Sequence, residues 1–276
     1  MKIKTVTVLG ANGTMGRNVS GIFASFGNAK VYMLARSLQD AENAKKQALQ
    51  SVKSEAISDK LIPKTYDELA ECISDSDLVF ESVAEDLETK RYIYTLIGKH
   101  LNKGTIIGTG TSGLSINDLS KSLNEEQRKY YLGIHMYNPP YNMSLCELIP
   151  SDYTDKSVTN NIKKYLKTVL LRDVVEVKDG PAFMGNRIGF QFINEALQSA
   201  EKYKNEGGID FVDTILGSFT GRSMPPLVTS DFVGLDVHKA IVDNVYNNTK
   251  DYERETFLLP AFVNNLIQEN KLYKLS

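Results

Sequence analysis

Short apolar runs alternate with longer amphipathic stretches along the first two thirds of the chain. The apolar runs predict strands at residues 5–9, 30–35, 78–83, 105–109, 132–135 and 174–177. Apolar residues at helical spacing predict the helices between them, at residues 15–26, 41–57, 88–101 and 158–170. Strands that alternate with helices are typical of a parallel sheet covered by helices on both faces. We therefore predict an α/β fold with a doubly wound sheet.

The pattern changes near residue 179. Asp179-Gly180-Pro181 predicts the start of a helix, because a carboxylate suits the N-cap and a proline suits the first turn. Apolar residues then recur every four positions from Ile188 to Ala200, and further helices are predicted at residues 209–219, 233–246 and 257–268. The sequence thus predicts a sheet domain at residues 1–179 and a smaller all-α domain at residues 180–276.

Charge and composition exclude several classes of protein. The 32 Lys and Arg against 34 Asp and Glu give a formal net charge of −2, so no basic surplus indicates nucleic-acid binding. Residues 130–146, the longest run without these four types, contain His135 and two prolines, so we expect no membrane span. Two cysteines and three histidines give neither a disulfide framework nor a metal-ligand spacing. The N-terminus enters a strand without a signal-peptide pattern, and we expect a cytoplasmic protein.

A glycine turn follows the first predicted strand, where Val6-Thr7-Val8-Leu9 leads into Gly10, Gly13 and Gly16. In a strand–turn–helix unit the first glycine makes the turn, the middle one admits a phosphate and the last lets the helix pack closely. The spacing is one residue longer than Gly-x-Gly-x-x-Gly, but its βαβ context predicts a Rossmann-type dinucleotide-binding domain. The candidate cofactor-binding residues of the turn are Gly10, Asn12, Gly13, Thr14, Met15 and Gly16.

The second predicted strand ends at Ala35, about twenty residues past the turn, where Rossmann folds bind the ribose. A carboxylate there would bind the ribose of NAD, but this chain has Ala35-Arg36-Ser37. The Arg36 guanidinium suits a 2′-phosphate, or alternatively stacks on the adenine. We expect NAD as the cofactor and leave NADP open, with Arg36 as a further binding candidate.

His135 is the candidate general base. It ends a predicted strand, and such positions face the ligand crevice of a parallel sheet. Twelve residues later, Glu147 lies inside an apolar run, where a carboxylate is costly without a partner. A carboxylate behind an imidazole fixes its tautomer and stabilises its cation. The alternative is a structural His135 and an exposed strand-face Glu147; His100 and His238 are interpreted as structural or solvated.

Two further polar residues are candidates for the site. Ser112 follows a predicted strand end and could hydrogen-bond a substrate oxygen or the nicotinamide carboxamide. The alternative for Ser112 is a helix N-cap together with Ser115 or Asn117. Asn186 lies one turn into the first predicted helix of the second domain, from where we expect it to reach across a cleft between the domains.

These motifs occur in one order, and from residue 3 to about residue 247 the chain resembles the L-3-hydroxyacyl-CoA dehydrogenases. The resemblance depends most on the Gly-x-His-x-x-Asn-Pro run at residues 133–139, on Glu147, and on Asp-x-Pro-x-Phe-x-x-Asn-Arg at residues 179–187. Details at residues 111–113, 138–140 and 186–189 are closer to the long, multidomain bacterial members.

The resemblance implies interconversion of (S)-3-hydroxyacyl-CoA and 3-ketoacyl-CoA, in fatty acid β-oxidation or in short-chain 3-hydroxybutyryl-CoA metabolism. His135 would exchange a proton with the 3-hydroxyl as hydride moves between substrate and cofactor. Glu147 would orient His135, and Ser112 and Asn186 would bind the oxygens of the substrate near the reacting carbon.

The resemblance also implies cofactor contacts and partners. Asn138 would hold the nicotinamide side, while Glu85 and Lys90 match cofactor-contacting positions. The implied partners are an acyl-CoA substrate and a second copy of the chain, in a homodimer formed through the helical domain. The glycine-rich end of the family is missing after Lys271, a departure that bears on that interface.

Other classes fit less well. A short-chain dehydrogenase needs Tyr-x-x-x-Lys in mid-chain, and the match at Tyr246 and Lys250 comes too late. A 6-phosphogluconate-like dehydrogenase uses a catalytic lysine and lacks this His–Glu spacing. The remaining alternative is a non-catalytic dinucleotide-binding relative of the same fold, which would have no physical need for His135, Glu147, Ser112 and Asn186 together.

Overall fold

The computed structural model describes residues 2–250 and 252–269. The chain divides into two compact units, and the division falls between Asp179 and Gly180. The departure from the family pattern after Lys271 lies outside the described residues. No helix in the described ranges is both long and apolar enough to cross a membrane.

The described part of the first unit contains one sheet. Its strands are β1 (Thr5–Leu9), β2 (Lys30–Ala35), β3 (Leu61–Thr65), β4 (Leu78–Glu81), β5 (Ile106–Thr109), β6 (Tyr131–Met136), β7 (Leu145–Pro150) and β8 (Asp173–Glu176). They lie in the order β3-β2-β1-β4-β5-β6-β7-β8, and neighbours are parallel except for the antiparallel pair β6–β7. The order reverses between β1 and β4, and ligands of open α/β sheets bind at such a reversal.

Helices pack against this sheet. They are α1 (Thr14–Ser25), α2 (Leu38–Val52), α3 (Leu69–Ser74), α4 (Leu87–Ile97), α5 (Ile116–Ser120), α6 (Glu125–Arg128) and α7 (Lys156–Thr168), with 3₁₀ turns at Ser58–Lys60 and Tyr66–Glu68. The central strands are buried almost throughout, as in parallel sheets covered on both faces. Phe23 of α1 meets Phe80 of β4 edge to face, with ring centroids 5.9 Å apart. The predicted Rossmann-type fold is confirmed, and the ends of its predicted elements shift by a few residues.

Two strands were absent from the prediction, and each has a local reason. β3 reads Leu-Ile-Pro-Lys-Thr, and its proline and lysine interrupt the apolar pattern at the edge of the sheet. β7 contains the apolar run around Glu147, where the buried charge masks the strand pattern. Strand β7 is the one that brings Glu147 beside β6.

The described part of the second unit is helical, as predicted. Its helices are α8 (Gly185–Lys202), α9 (Gly208–Leu216), α10 (Pro226–Val233), α11 (Leu235–Asn248) and α12 (Ala261–Gln268), with 3₁₀ turns at Lys204–Glu206, Ser218–Thr220 and Arg254–Phe257. A separate apolar core holds them together, and it includes Phe190, Leu197, Val242, Phe257 and Val263.

The predicted helix start at Asp179 is wrong. Ala182 and Phe183 have φ angles of 59° and 52°, a left-handed conformation that interrupts a helix, and α8 begins only at Gly185. The Asp179 carboxylate instead accepts hydrogen bonds from the backbone N–H groups of Ile116 and Asn117, at 3.1 and 2.8 Å. It therefore caps α5 of the first unit rather than the helix that follows it in sequence.

The two histidines outside the candidate site differ from each other. His100 is exposed. His238 is fully buried beside Asn194, whose Oδ1 lies 3.2 Å from its Nε2, and burial lowers the pKa of His238 to about 4. It is therefore neutral near pH 7 and structural, which is one of the two interpretations made from the sequence.

Candidate active site

The glycine turn brings three backbone segments into close contact. Gly10 directly follows β1 and has a φ of +72°, and a Cβ atom there would lie 2.4 Å from the carbonyl oxygen of Ser82, after β4. A Cβ atom on Gly16 would lie 2.3 Å from the carbonyl oxygen of Gly10. Because both contacts are with backbone, no larger side chain fits without moving the main chain. These glycines are therefore required by the close approach of β1, α1 and the segment after β4.

The amino end of α1 faces this turn without a side chain to neutralise it. Its N-cap is Gly13, no side chain caps it, and its first turn contains no acidic residue. Uncapped N–H groups and the positive end of the helix dipole make such a terminus suitable for a phosphate. Asn12, Gly13 and Thr14 are exposed here, whereas Met15 packs partly against the core. The residues present fit the pyrophosphate of a dinucleotide.

A cavity of about 700 Å³ opens beside the turn. It is lined from both sides of the strand reversal, by Gly10, Asn12 and Gly13 after β1 and by Ser82, Val83 and Ala84 after β4, with Arg36, Asp40 and Tyr66 among the other lining residues. The Tyr66 hydroxyl accepts a hydrogen bond of 3.0 Å from the Gly10 N–H, which fixes the turn at the mouth of this cavity.

Charges of both signs line the cavity where it meets the end of β2 and the start of α2. Arg36 is exposed just after β2, as the sequence places it. Ser37 is the N-cap of α2, and its hydroxyl donates to the Asp40 carboxylate at 2.7 Å. A guanidinium attracts a 2′-phosphate and a carboxylate repels it, so Arg36 and Asp40 act in opposite directions.

His135 and Glu147 are in direct contact. They are paired opposite each other across β6 and β7, so their side chains lie on the same face of the sheet. The Nδ1 atom of His135 lies 2.7 Å from Oε2 of Glu147, and these side chains are 6% and 0% exposed. The alternative of an exposed strand-face Glu147 is therefore wrong. With an ionised Glu147, Nδ1 carries the hydrogen and Nε2 is the nitrogen able to take a proton.

A tyrosine completes this cluster. Tyr137, directly after β6, donates its hydroxyl to the same Oε2 atom of Glu147 at 2.8 Å. Its ring lies against the imidazole of His135, with centroids 4.6 Å apart. One carboxylate oxygen thus meets two hydrogen-bonding side chains.

A second buried carboxylate, Glu81, lies at the end of β4. It is 0% exposed and contacts the Lys90 ammonium of α4 at 2.6 Å. Its other oxygen accepts hydrogen bonds from the hydroxyls of Tyr94 and Thr109, each at 2.7 Å. The cluster ties α4 and β5 to the end of β4, next to the cavity.

Glu85 connects this cluster to the loop that contains Ser112. One Glu85 oxygen accepts from the Thr111 hydroxyl at 2.6 Å and from the Ser112 N–H at 2.7 Å. The Lys90 ammonium lies 3.4 Å from the other oxygen. Lys90 is only 1% exposed, so in this structure it serves Glu81 and Glu85. Its predicted contact with a cofactor stays a prediction, as does that of Glu85.

The remaining predicted residues lie in different parts of the chain. Ser112 is exposed, and the N-cap of α5 is Ser115 rather than Ser112. Since β5 and β6 are parallel, the Ser112 loop and the end of β6 belong to the same edge of the sheet. Asn138 is exposed after β6. Asn186 is half-buried at the second position of α8, in the second unit, and its role in the site stays a prediction.

Sequence reasoning missed five residues of these clusters: Glu81, Tyr94, Thr109, Thr111 and Tyr137. The signal for Glu81 was present, because a glutamate at the end of an apolar strand needs a partner, as Glu147 does. Thr111 and Tyr137 carried no such signal, since hydroxyl groups are common at strand ends. A carboxylate within an apolar strand is thus the sequence feature that predicts both the Glu81 and the Glu147 cluster.

The fold and these clusters together define a class: a Rossmann-type dinucleotide-binding protein with a buried histidine–carboxylate pair. Residues 5–180 match the NAD binding domain of the 3-hydroxyacyl-CoA dehydrogenases, and residues 183–275 match their C-terminal domain. The chain belongs to the 3-hydroxyacyl-CoA dehydrogenase family, which confirms the family predicted from the motifs. Across the described residues, no group of three or more His, Cys, Asp or Glu could hold a metal ion.

Individual relatives agree with this assignment. The mitochondrial hydroxyacyl-coenzyme A dehydrogenase of Rattus norvegicus is 29% identical over 289 residues, which cover 99% of this chain and 88% of that protein. A probable 3-hydroxyacyl-CoA dehydrogenase of Bacillus subtilis (strain 168) is 31% identical over 76% of this chain, but the match spans only 26% of that longer protein. The crystal structure of (S)-3-hydroxybutyryl-CoA dehydrogenase from Ralstonia eutropha has the same fold, with a TM-score of 0.86, 24% identity and coverage of 99% and 96% of the two chains.

Replacement of Gly16 tests the close approach at the turn. We expect Gly16→Ala to lower the free energy of unfolding by about 1–3 kcal/mol, because the added methyl group meets a backbone oxygen that cannot rotate away. Gly189→Ala in α8 is the matched control: nothing lies within 4 Å of its Cβ position, and alanine there stabilises a helix by up to about 1 kcal/mol. Urea unfolding of the full chain measures both, and equal effects would contradict the close-approach argument.

Removal of the Lys90 charge tests the second cluster. Lys90→Met leaves Glu81 buried without its cation, and we expect a loss of about 3–5 kcal/mol in the free energy of unfolding. In the control Lys121→Met, an exposed pair with Asp118 is lost, and the urea midpoint should stay near that of the wild type. Addition of Glu81→Gln to Lys90→Met should recover part of the loss. A small effect of Lys90→Met would show that the buried pair is not needed.

Proposed function

We propose that this chain is an oxidoreductase that interconverts (S)-3-hydroxyacyl-CoA and 3-ketoacyl-CoA with a nicotinamide dinucleotide. The observation that carries the proposal is the buried contact of 2.7 Å between His135 and Glu147, on the same sheet as the glycine turn. Membership of the family and the similarity to the rat enzyme along almost the whole chain support the substrate class. When bound, the nicotinamide would accept or supply a hydride at C3 of the substrate.

The acid–base work falls to His135. Its Nε2 would take the proton of the 3-hydroxyl in oxidation and return it to the carbonyl oxygen in reduction. Glu147 would hold the Nδ1–H tautomer and stabilise the imidazolium that forms. Because both side chains are closed off from water, their interaction is stronger than it would be at the surface.

The other assigned roles are binding roles. Ser112, held through its N–H by Glu85, would bind a substrate oxygen, and Asn186 would bind another. Asn138 would lie on the nicotinamide side. The N–H groups at the start of α1, beside Gly10, Gly13 and Gly16, would hold the pyrophosphate. The pathway served, whether fatty acid β-oxidation or 3-hydroxybutyryl-CoA metabolism, belongs to the same proposal.

A homodimer through the helical unit is part of the proposal as well. It rests on the resemblance to the family. In the helical unit, Phe219 and Phe232 are 88% and 60% exposed.

Replacement of His135 tests the catalytic role. With acetoacetyl-CoA and NADH or NADPH, we expect His135→Ala to lower kcat by about 10²–10⁴ while cofactor binding stays intact. The exposed His100→Ala is the matched control and should retain wild-type kcat. Loss of reduced-cofactor absorbance measures turnover, and a cofactor-dependent rise in Tm measures binding. Wild-type turnover in His135→Ala would remove His135 from the mechanism, and no turnover by the wild type at any acyl length would favour the non-catalytic alternative.

The opposite charges of Arg36 and Asp40 predict how cofactor preference responds to mutation. We expect Arg36→Ala to lower the ratio of kcat/KM for NADPH to that for NADH, and Asp40→Asn to raise it, each by about tenfold, the usual size of one charged hydrogen bond. Asparagine still accepts the Ser37 hydrogen bond, so α2 keeps its start. An unchanged ratio in both variants would leave only the interpretation that Arg36 stacks on the adenine.

A further inference from the structure

The Oε2 atom of Glu147 is shared between two side chains. The Nδ1 atom of His135 lies 2.7 Å away and the Tyr137 hydroxyl 2.8 Å away. The carboxylate is 0% exposed, so side chains rather than bulk water balance its charge. The tyrosine ring also lies against the imidazole, at 4.6 Å between centroids and tilted by 60°. Tyr137 thus contacts both members of the pair on which the proposed function depends.

We propose that Tyr137 is a positioning residue of the His135–Glu147 pair: its hydroxyl fixes the Glu147 carboxylate and takes up part of its charge, and so controls how tightly His135 holds its proton. This inference rests on the proposed function, because the proton concerned is the one exchanged with the substrate. Tyr137 would thus be a third side chain of the proposed proton-transfer cluster, and it would act through Glu147 rather than on the substrate.

The direction of the effect follows from competition at one oxygen. A carboxylate that accepts a hydrogen bond from a hydroxyl is a weaker partner for a neighbouring imidazolium. With Tyr137 present, His135 therefore gives up its proton more easily, which favours its action as an acid in ketone reduction. Without the hydroxyl, more of the Oε2 charge is available to His135, and the imidazole should keep its proton to higher pH.

Other titratable groups near the pair are engaged elsewhere. Cys146, beside Glu147 on β7, is a neutral thiol near pH 7, because burial raises its pKa to about 12. Arg172 donates to the carbonyl oxygens of Leu170 and Pro140. On β8 the residue paired with Glu147 is the apolar Val175. Glu85, which follows β4, is held by Thr111 and Ser112 of the loop after β5. Tyr137 is therefore the hydroxyl whose removal should change the proton affinity of the pair most directly.

The variant Tyr137→Phe removes the hydroxyl and keeps the ring. The chain offers a matched control in the same loop, Tyr141→Phe, because the Tyr141 hydroxyl donates to the Asn18 carbonyl oxygen at 2.8 Å and takes no part in the pair. For 3-hydroxyacyl-CoA oxidation, we expect the acidic limb of the kcat–pH profile to move to higher pH by about half a unit to one unit in Tyr137→Phe, the size expected for one lost hydrogen bond. KM should change little, and Tyr141→Phe should follow the wild-type profile.

A second measurement does not depend on turnover. The chain has three histidines, so NMR of the full-length protein with labelled histidine can follow the imidazole of His135, assigned by its loss in His135→Ala. We expect its titration midpoint to move to higher pH in Tyr137→Phe and not in Tyr141→Phe. In a Glu147→Gln background, Tyr137→Phe should have no further effect, because the shared oxygen no longer carries the charge.

The two measurements separate the inference from the function. If the wild type shows no turnover but the His135 titration still moves in Tyr137→Phe, the proposed function is wrong and the role of Tyr137 at the pair stands. Coincident NMR titrations for the wild type and Tyr137→Phe would overturn the inference, whatever the activity. A lower Tm with an unchanged titration would show that Tyr137 only stabilises the loop.

Discussion

A carboxylate enclosed in a sheet must have hydrogen-bonding or cationic partners, and this constraint organises the first unit. Two strands of the sheet carry such a group: Glu81 at the end of β4 and Glu147 in β7, both without solvent exposure. Each desolvated charge would destabilise the fold by several kcal/mol if left alone. Glu81 recruits Lys90 together with two hydroxyl groups, whereas Glu147 recruits an imidazole and a phenol. The Glu81 cluster, with its ammonium group, is a structural ion pair, whereas the imidazole in the Glu147 cluster is a group suited to proton transfer.

The same constraint links the Glu81 cluster to the glycine turn. Gly10, directly after β1, lies against the backbone of Ser82, which follows Glu81 directly, so the residues that fix the end of β4 also fix one wall of the cavity. From there Glu85 fixes the loop of Ser112 after β5. Successive strand ends, from β1 through β4 to β5, are therefore connected by hydrogen bonds or close backbone contacts. A site assembled in this way is pre-organised, because each loop that lines it is anchored to a neighbouring strand.

The sequence predicted the fold well where the pattern was local. Alternating apolar strands and amphipathic helices located the sheet domain, and the glycine turn and the His–Glu spacing located its two chemical features. The prediction failed where contacts between residues far apart in sequence determine the local structure. Asp179 has the sequence pattern of an N-cap for the helix that follows it. Its carboxylate instead caps α5, more than sixty residues earlier in the chain. The left-handed φ angles of Ala182 and Phe183 prevent a helix from starting directly after Asp179. Strand β3 forms because it pairs with β2, and its own apolar pattern does not predict it. Nothing in the sequence around Tyr137 predicts its contact with Glu147.

The residues proposed to set cofactor preference and those proposed to transfer the proton lie far apart along this row of strand ends, and this makes the two proposed roles separable. Arg36 and Asp40 follow β2, whereas His135 lies near the end of β6, and β1, β4 and β5 lie between β2 and β6. At about 4.8 Å for each strand, the two groups of charges are roughly 19 Å apart, which is about twice the screening length in physiological salt. A change of charge at Arg36 or Asp40 should therefore leave nearly unaltered the pH dependence proposed for His135, Glu147 and Tyr137, since distant and independent changes are close to additive. Within the cluster itself the opposite holds, because His135 and Tyr137 share one oxygen of the Glu147 carboxylate, and a change in either one alters the charge available to the other.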